Sequence, residues 1–160
     1  MPPRRNSTLL ALLGLAGATT ALLVWDRAQP TTAGARRAAR ALVPEAALAR
    51  TVTITAEGTT QVASRRGDDW YVGDRLARGA AVEALLAELE LGEVLGAATI
   101  PERTPQGVVA LGATRVTIFG AAIDGRYVER CVGARCEDLV TQARLVELLH
   151  PEGGWLEPGD

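Results

Sequence analysis

Lysine is absent from this sequence, and histidine and aromatic residues are scarce. All 17 basic residues are arginine, the net charge is −2, and aromatic residues make up only 4% of the chain. A nearly neutral, slightly acidic chain argues against a phosphate-binding surface, and so few aromatic rings argue against stacking on bases. We therefore expect no nucleic-acid partner.

Residues that carry catalysis are equally few. His150 is the one histidine, and it stands directly before Pro151 with no motif around it. Neither Ser7 nor Ser64 lies in the strand-to-helix turn that exposes a catalytic serine. No glycine-rich loop follows a strand and opens a helix, as phosphate binding would require. The sequence therefore predicts no enzyme, and we expect no cofactor and no metal.

Only two cysteines are present, Cys131 and Cys136. They flank a predicted hairpin turn at 132–135, so they can face each other at bonding distance. In an exported domain two cysteines this close are expected to form a disulfide, and free thiols are the alternative. A structural zinc site needs four ligands, which these cysteines and the distant His150 do not supply.

The one long stretch without charge, TLLALLGLAGATTALLVW, occupies residues 8–25. About 20 apolar residues cross the roughly 30 Å hydrocarbon core, so this stretch is at the short end of that range. We predict a transmembrane signal anchor here, with residues 1–7 as a cytoplasmic tail because Arg4 and Arg5 precede it. A cleaved signal peptide with its site at 16–18 is the alternative. The expected location is the bacterial inner membrane, with a single pass and a periplasmic C-terminal domain.

Residues 26–49 are interpreted as a tether. Ala33 to Leu42 favours a short helix, and Pro44 ends it. Three arginines share one face of this helix: Arg36, Arg37 and Arg40. They either rest on anionic lipid headgroups beside the anchor or are simply solvated.

Residues 50–150 are predicted to form one α+β domain, an antiparallel sheet with two helices packed against it. Runs of β-branched and aromatic residues between turn signals indicate six strands: Thr51–Thr55, Thr60–Arg65, Trp70–Val72, Arg115–Phe119, Arg126–Cys131 and Cys136–Val140. Val94–Ile100 is a seventh candidate, and Pro101 and Pro105 hold a loop after it.

Two segments have the apolar spacing of helices, Ala80–Leu91 and Ala143–Leu149. In the first, four apolar residues recur on one face: Val82, Leu85, Leu86 and Leu89. Residues 151–160 are predicted to be a loose tail from which Trp155 can pack back. Because 52–54 and 116–118 both read Val-Thr-Ile and both start a meander that ends in a helix, a duplicated ββ(β)α unit is one interpretation.

The most site-like cluster is Asp68, Asp69 and Trp70. Two carboxylates beside an indole can bind a cation or a sugar, which gives a small-ligand or glycan-binding module as the alternative function. Acidic turn residues next to a packed tryptophan are the ordinary explanation.

From about 42 to 140 the pattern resembles an uncharacterised domain family of bacterial envelope proteins. Five features carry it: the N-terminal anchor, the strand Thr51–Thr55, the Gly67–Val72 stretch with its tryptophan, the leucine-rich helix, and Gly125–Val128. Some members of that family are auxiliary proteins of gliding-motility and ABC-type export systems. This chain departs from the family at 106–109, Gln-Gly-Val-Val, where a Gly-Leu and a proline usually follow the helix. The resemblance implies a membrane-anchored accessory or scaffold protein that binds a partner protein, and it carries over no catalytic residue.

Overall fold

The computed structural model describes residues 40–152 and 154–158. Nine strands are present in this part of the chain: β1 (Thr51–Ala56), β2 (Thr59–Arg66), β3 (Asp69–Val72), β4 (Arg75–Leu76), β5 (Val94–Ala97), β6 (Gly107–Leu111), β7 (Thr114–Ala122), β8 (Gly125–Val132) and β9 (Arg135–Thr141). Two helices accompany them, α1 (Gly79–Leu91) and α2 (Leu145–Leu149), with a 3-10 turn at Ala46–Leu48.

All nine strands belong to one antiparallel sheet in the order β4-β3-β2-β1-β6-β7-β8-β9-β5. One meander, β1–β4, and a second, β6–β9, meet at the centre, where Ile54 of β1 lies opposite Val109 of β6. Strand β5 pairs with β9 at the far edge. The predicted class, one antiparallel sheet with two helices, is confirmed, although strands make up most of the domain.

The core lies between the sheet and the two helices. Strand side chains alternate between the two faces, so Val52 and Ile54 of β1 both enter this core. The apolar face predicted for α1 is confirmed, because four of its residues are 0% exposed: Val82, Leu85, Leu86 and Leu89. Fully burying such side chains stabilises the fold by roughly 1.5–3 kcal/mol each.

Two strands were missed by the sequence pattern, β4 and β6. Strand β6 begins at Gly107, where a Cβ atom would lie only 2.3 Å from Leu149 Cδ1 of α2. A Cβ atom here would displace the end of the Leu149 side chain. A glycine at a strand start also hides the strand from propensity rules. The predicted strand over 94–100 ends early, at Ala97.

The folded domain extends beyond the predicted limits of 50–150 at both ends. Ala41 pairs with Glu93 in an antiparallel bridge, and Leu42 and Val43 are buried. The predicted helix therefore does not continue to Leu42. The backbone N–H groups of Leu42 and Val43 instead donate to the last turn of α1, to Gly92 O at 3.1 Å and Leu89 O at 2.8 Å.

The C-terminal tail is also packed where the structure describes it. Trp155 is buried, and its Nε1 donates to Leu149 O at 3.2 Å. Leu156 forms a bridge with Ala77, next to β4. Residues 154–158 are therefore part of the domain and not loose.

The two Val-Thr-Ile segments, 52–54 and 116–118, do not occupy equivalent strands of the two meanders. Residues 52–54 lie in β1, the first strand of its meander, whereas 116–118 lie in β7, the second strand of the other meander.

The predicted cytoplasmic tail (1–7), the anchor (8–25) and the tether up to residue 39 lie outside the described residues. Among residues 40–152 and 154–158, no helix is long and apolar enough to cross a membrane.

Candidate functional site

Trp70, on β3, turns its indole into the core and is 1% exposed. Its Nε1 donates to Glu83 Oε1 of α1 at 2.8 Å. Arg65 approaches both groups, since its Nη1 lies 3.4 Å from Glu83 Oε1 and its guanidinium lies 5.8 Å from the ring centroid. Because protein covers the ring, it offers no free face on which a sugar could stack. Trp70 joins β3 to α1.

Asp68 and Asp69 are exposed at the turn between β2 and β3. Asp68 lines an open depression with Arg50 and Arg65, and neither Asp69 nor Trp70 belongs to that lining. The structure therefore does not bring the three predicted ligand-binding residues together.

Cys131 and Cys136 lie directly opposite each other on β8 and β9, as the hairpin interpretation predicts. Their sulfur atoms are 2.09 Å apart, which is disulfide distance. Cys131 is buried and Cys136 is exposed. This pair links β8 to β9 beside their hairpin turn.

Replacing both cysteines with serine is expected to lower the free energy of unfolding by about 2 kcal/mol. The bond closes only a short loop, and the chain-entropy model gives that value for a loop of this size. Urea unfolding of the full chain, with and without reductant, measures the loss. Reductant should shift the unfolding midpoint of the natural chain and leave that of the double variant unchanged. Equal alkylation of the natural chain before and after reduction would refute a bonded pair.

Glu129 lies beside the cysteines, and its carboxylate and the two sulfur atoms lie within 4.8 Å of one another. Three such groups can in principle hold a metal. Here both sulfur atoms are at bonding distance from each other, so neither is available as the thiolate that zinc prefers.

Glu129 is held instead by Arg103. Residues 98–106 cross the face of the sheet opposite the helices, where Ala98 N donates to Asp138 O at 2.9 Å. Arg103 Nη1 donates to Glu129 Oε1 at 2.8 Å, and its Nη2 pairs with Asp138. The hydrogen bond to Glu129, followed by the charge of Asp138, raises the pKa of Arg103 above its usual value. Arg103 thus stays charged and fastens this loop over β8 and β9.

The other half of that face carries no such loop among the described residues. We call it the open face, and it comprises ten exposed or half-buried side chains on β1–β4 and β6: Thr51, Thr53, Thr55, Thr60, Val62, Ser64, Tyr71, Leu76, Val108 and Ala110. None of the ten is charged. At its rim, the Arg66 guanidinium lies 5.1 Å from the centroid of the Tyr71 ring.

His150 lines a cavity of about 300 Å³ between the β1–β2 turn and the C-terminal segment, together with Glu57, Thr59 and Gln61. Gln61 Oε1 is buried there without a hydrogen-bond partner among the described residues. Within the same part of the chain, no hydrogen bond joins His150 to Thr59 or Glu57.

The open face is the feature that sequence reasoning missed. Its signal was present in the alternate threonines of 51–55, but their neighbours across the sheet are distant in sequence. A scan against family models and searches of the curated proteins and of the solved structures each found no match.

Proposed function

We propose that this protein is a membrane-anchored, extracytoplasmic accessory or scaffold protein that binds a partner protein in the bacterial envelope. An ABC-type transport or motility complex is the partner class that the sequence resemblance suggests. The observation that carries the proposal is the open face, whose ten central side chains are uncharged and whose edges hold Arg66, Asp69 and Arg115.

The composition of the open face favours a protein partner. Charged residues are depleted at the centres of protein interfaces, and tyrosine and arginine are enriched there. Val62 and Leu76 are 43% and 45% exposed. Tyr71 lies directly opposite Leu76, and Val62 lies in the neighbouring row of the same face. Arg66 completes this surface from the rim. A pocket for a small ligand would instead be concave and enclosed.

The other half of the sheet supports the same reading by contrast. There the loop at 98–106 and Arg103 occupy the equivalent face. The chain itself thus covers the β8–β9 half of this face. The other half stays exposed, and we propose that a second protein covers it.

Placement in the envelope rests on the sequence and on the cysteines. The apolar stretch at 8–25, preceded by two arginines, favours a single-pass inner-membrane anchor with an exported domain. A cysteine pair at bonding distance is typical of proteins in oxidising compartments such as the periplasm.

The proposal includes duplication of one structural unit. Each half is a four-stranded meander followed by a helix, β1–β4 with α1 and β6–β9 with α2. Tyr71-Val72 and Tyr127-Val128 both lie in the third strand of their meander. Under this assignment β1 corresponds to β6, and the two first strands pair at the centre of the sheet.

Changing Val62 to glutamate is expected to abolish stoichiometric recovery of the partner when the full chain is purified from membranes in mild detergent. A charge left unpaired in a desolvated interface weakens binding by at least about tenfold, or 1.4 kcal/mol. Leu91→Glu is the matched control, because Leu91 is 66% exposed and lies on α1, away from the open face. Mass spectrometry of the recovered proteins measures how much partner each variant retains.

The proposal fails if the two variants recover the same proteins as the natural chain. It also fails if Leu91→Glu loses the partner while Val62→Glu keeps it. Digestion of the C-terminal domain by protease on intact spheroplasts tests the topology, and a domain that stays uncut would contradict export.

A further inference from the structure

A second exposed apolar patch lies at one corner of the sheet, away from the open face. Ile123, in the turn between β7 and β8, is 99% exposed, and Leu95 on edge strand β5 is 43% exposed. With four smaller or half-buried neighbours they line a shallow depression of about 300 Å³: Ala97, Ala122, Tyr127 and Val140. We call these six residues the Ile123 corner. Asp124 is the one charged residue in the lining.

The Ile123 corner needs an explanation. Single apolar residues on a surface are ordinary, but a contiguous apolar patch marks an interaction site. A turn position is normally filled by Gly, Asn, Asp or Ser, because these residues adopt turn conformations and are solvated. Ile123 is 99% exposed, so its side chain buries almost no apolar surface and does not stabilise the folded domain.

The position of Arg40, the first described residue of the domain, indicates which kind of surface the Ile123 corner contacts. At this end of the sheet, three residues lie side by side on the neighbouring strands β8, β9 and β5: Arg126, Thr141 and Val94. The next residue back, Glu93, pairs with Ala41, and Arg40 forms a 2.7 Å ion pair with Glu93. The N-terminal segment therefore joins the domain at the sheet end from which the Ile123 turn projects.

The length of that segment limits how far the domain can be from a membrane. Residues 26–39 separate Arg40 from the apolar stretch at 8–25, and even fully extended they span at most about 50 Å. Arg40 lies at this sheet end, so this is the end of the domain that the tether keeps within that distance of the apolar stretch.

We infer that the Ile123 corner inserts into the interfacial region of the bilayer that holds the anchor, so the bound partner is a lipid surface. This inference rests on the membrane anchoring in the proposed function. Ile123 and Leu95 enter the boundary between headgroups and acyl chains, and Tyr127 supplies the amphipathic ring that is favoured there. Arg40 compensates the charge of Glu93 nearby, and Asp124 is the acidic residue at the corner itself.

Leu48 provides a matched control at the opposite end of the sheet. It is 74% exposed, and it lines a depression with Leu111, Gly112 and Thr114 at the turn between β6 and β7. Strand β8 runs between the two ends from Gly125 to Val132, which is about 25 Å at the rise of a β-strand.

The test uses the full chain in vesicles of phosphatidylethanolamine and phosphatidylglycerol. Ile123→Cys and Leu48→Cys are each labelled under non-reducing conditions with an environment-sensitive fluorophore, and phospholipids brominated in the acyl chain serve as quenchers. We expect a blue-shifted emission and loss of intensity for the label at 123, and neither change for the label at 48.

Three other results would overturn the inference. If the protein floats with the vesicles but neither label is quenched, the anchor stands and the Ile123 corner does not touch lipid. Equal quenching of both labels would mean that the domain has no fixed orientation. If the protein does not float, the anchor itself fails, and the inference fails with it.

Discussion

Replacing Trp70 with alanine is expected to lower the free energy of unfolding by about 3–5 kcal/mol, the usual loss for truncating a large buried aromatic side chain. The indole is 1% exposed between β3 and α1, so its removal leaves a cavity in the core. It also leaves Glu83 without the indole N–H that it accepts. Urea unfolding of the full chain in mild detergent, followed by circular dichroism, measures the change.

Trp70→Phe separates the two contributions. Phenylalanine keeps most of the apolar volume and lacks the indole N–H that bonds Glu83, so the expected loss is smaller, about 1–3 kcal/mol. A loss below about 1 kcal/mol for Trp70→Ala would mean that the ring is not packed in solution. Loss of ligand-induced stabilisation in the same variant would then favour the glycan-binding alternative.

Leu42→Ala is expected to cost about 2–5 kcal/mol, as for other buried leucines. Leu42 is 0% exposed, although it precedes the first strand by several residues and was assigned to the tether. Arg130 fixes its backbone, since Nη1 donates to Leu42 O at 2.7 Å and to Ala41 O at 3.1 Å. The same unfolding measurement applies.

Leu48→Ala is the control for that variant. Leu48 is 74% exposed six residues further on, and a surface truncation of this kind changes stability by less than about 0.5 kcal/mol. If the two variants unfold at the same urea concentration, residues 41–46 are a tether and not a part of the core.

Local patterns were enough to predict the elements with strong periodicity. The apolar face of α1 and the alternation of Val52 and Ile54 both depend only on neighbours in sequence, and both are confirmed. The hairpin turn between Cys131 and Cys136 is equally local, so its register could be predicted too.

What failed depends on contacts between distant parts of the chain. Nothing near Leu42 in sequence indicates that its backbone will pair with the end of α1, about 50 residues later. Strand β6 is hidden because it begins at Gly107, a residue type that strand propensity disfavours. Trp70 is buried, as the ordinary explanation expects, but its partner Glu83 on α1 could not be predicted from the turn residues beside it.

The candidate interaction surfaces could not have been predicted for the same reason. The open face exists only because β1 and β6 pair at the centre of the sheet and bring Thr53 next to Ala110. The Ile123 corner requires β5 to reach the far edge, where Leu95 meets the β7–β8 turn.

The sheet order also has a consequence for biogenesis. A chain that emerges N-terminus first completes the β1–β4 meander early, but the partner of the free edge of β1 is β6, which follows about 50 residues later. During that interval, the backbone N–H and C=O groups on this edge of β1 are unpaired, and a strand of another chain can pair with them. Loop closure over that distance must precede the central pairing, so the docking of the two halves should be the slow step in folding.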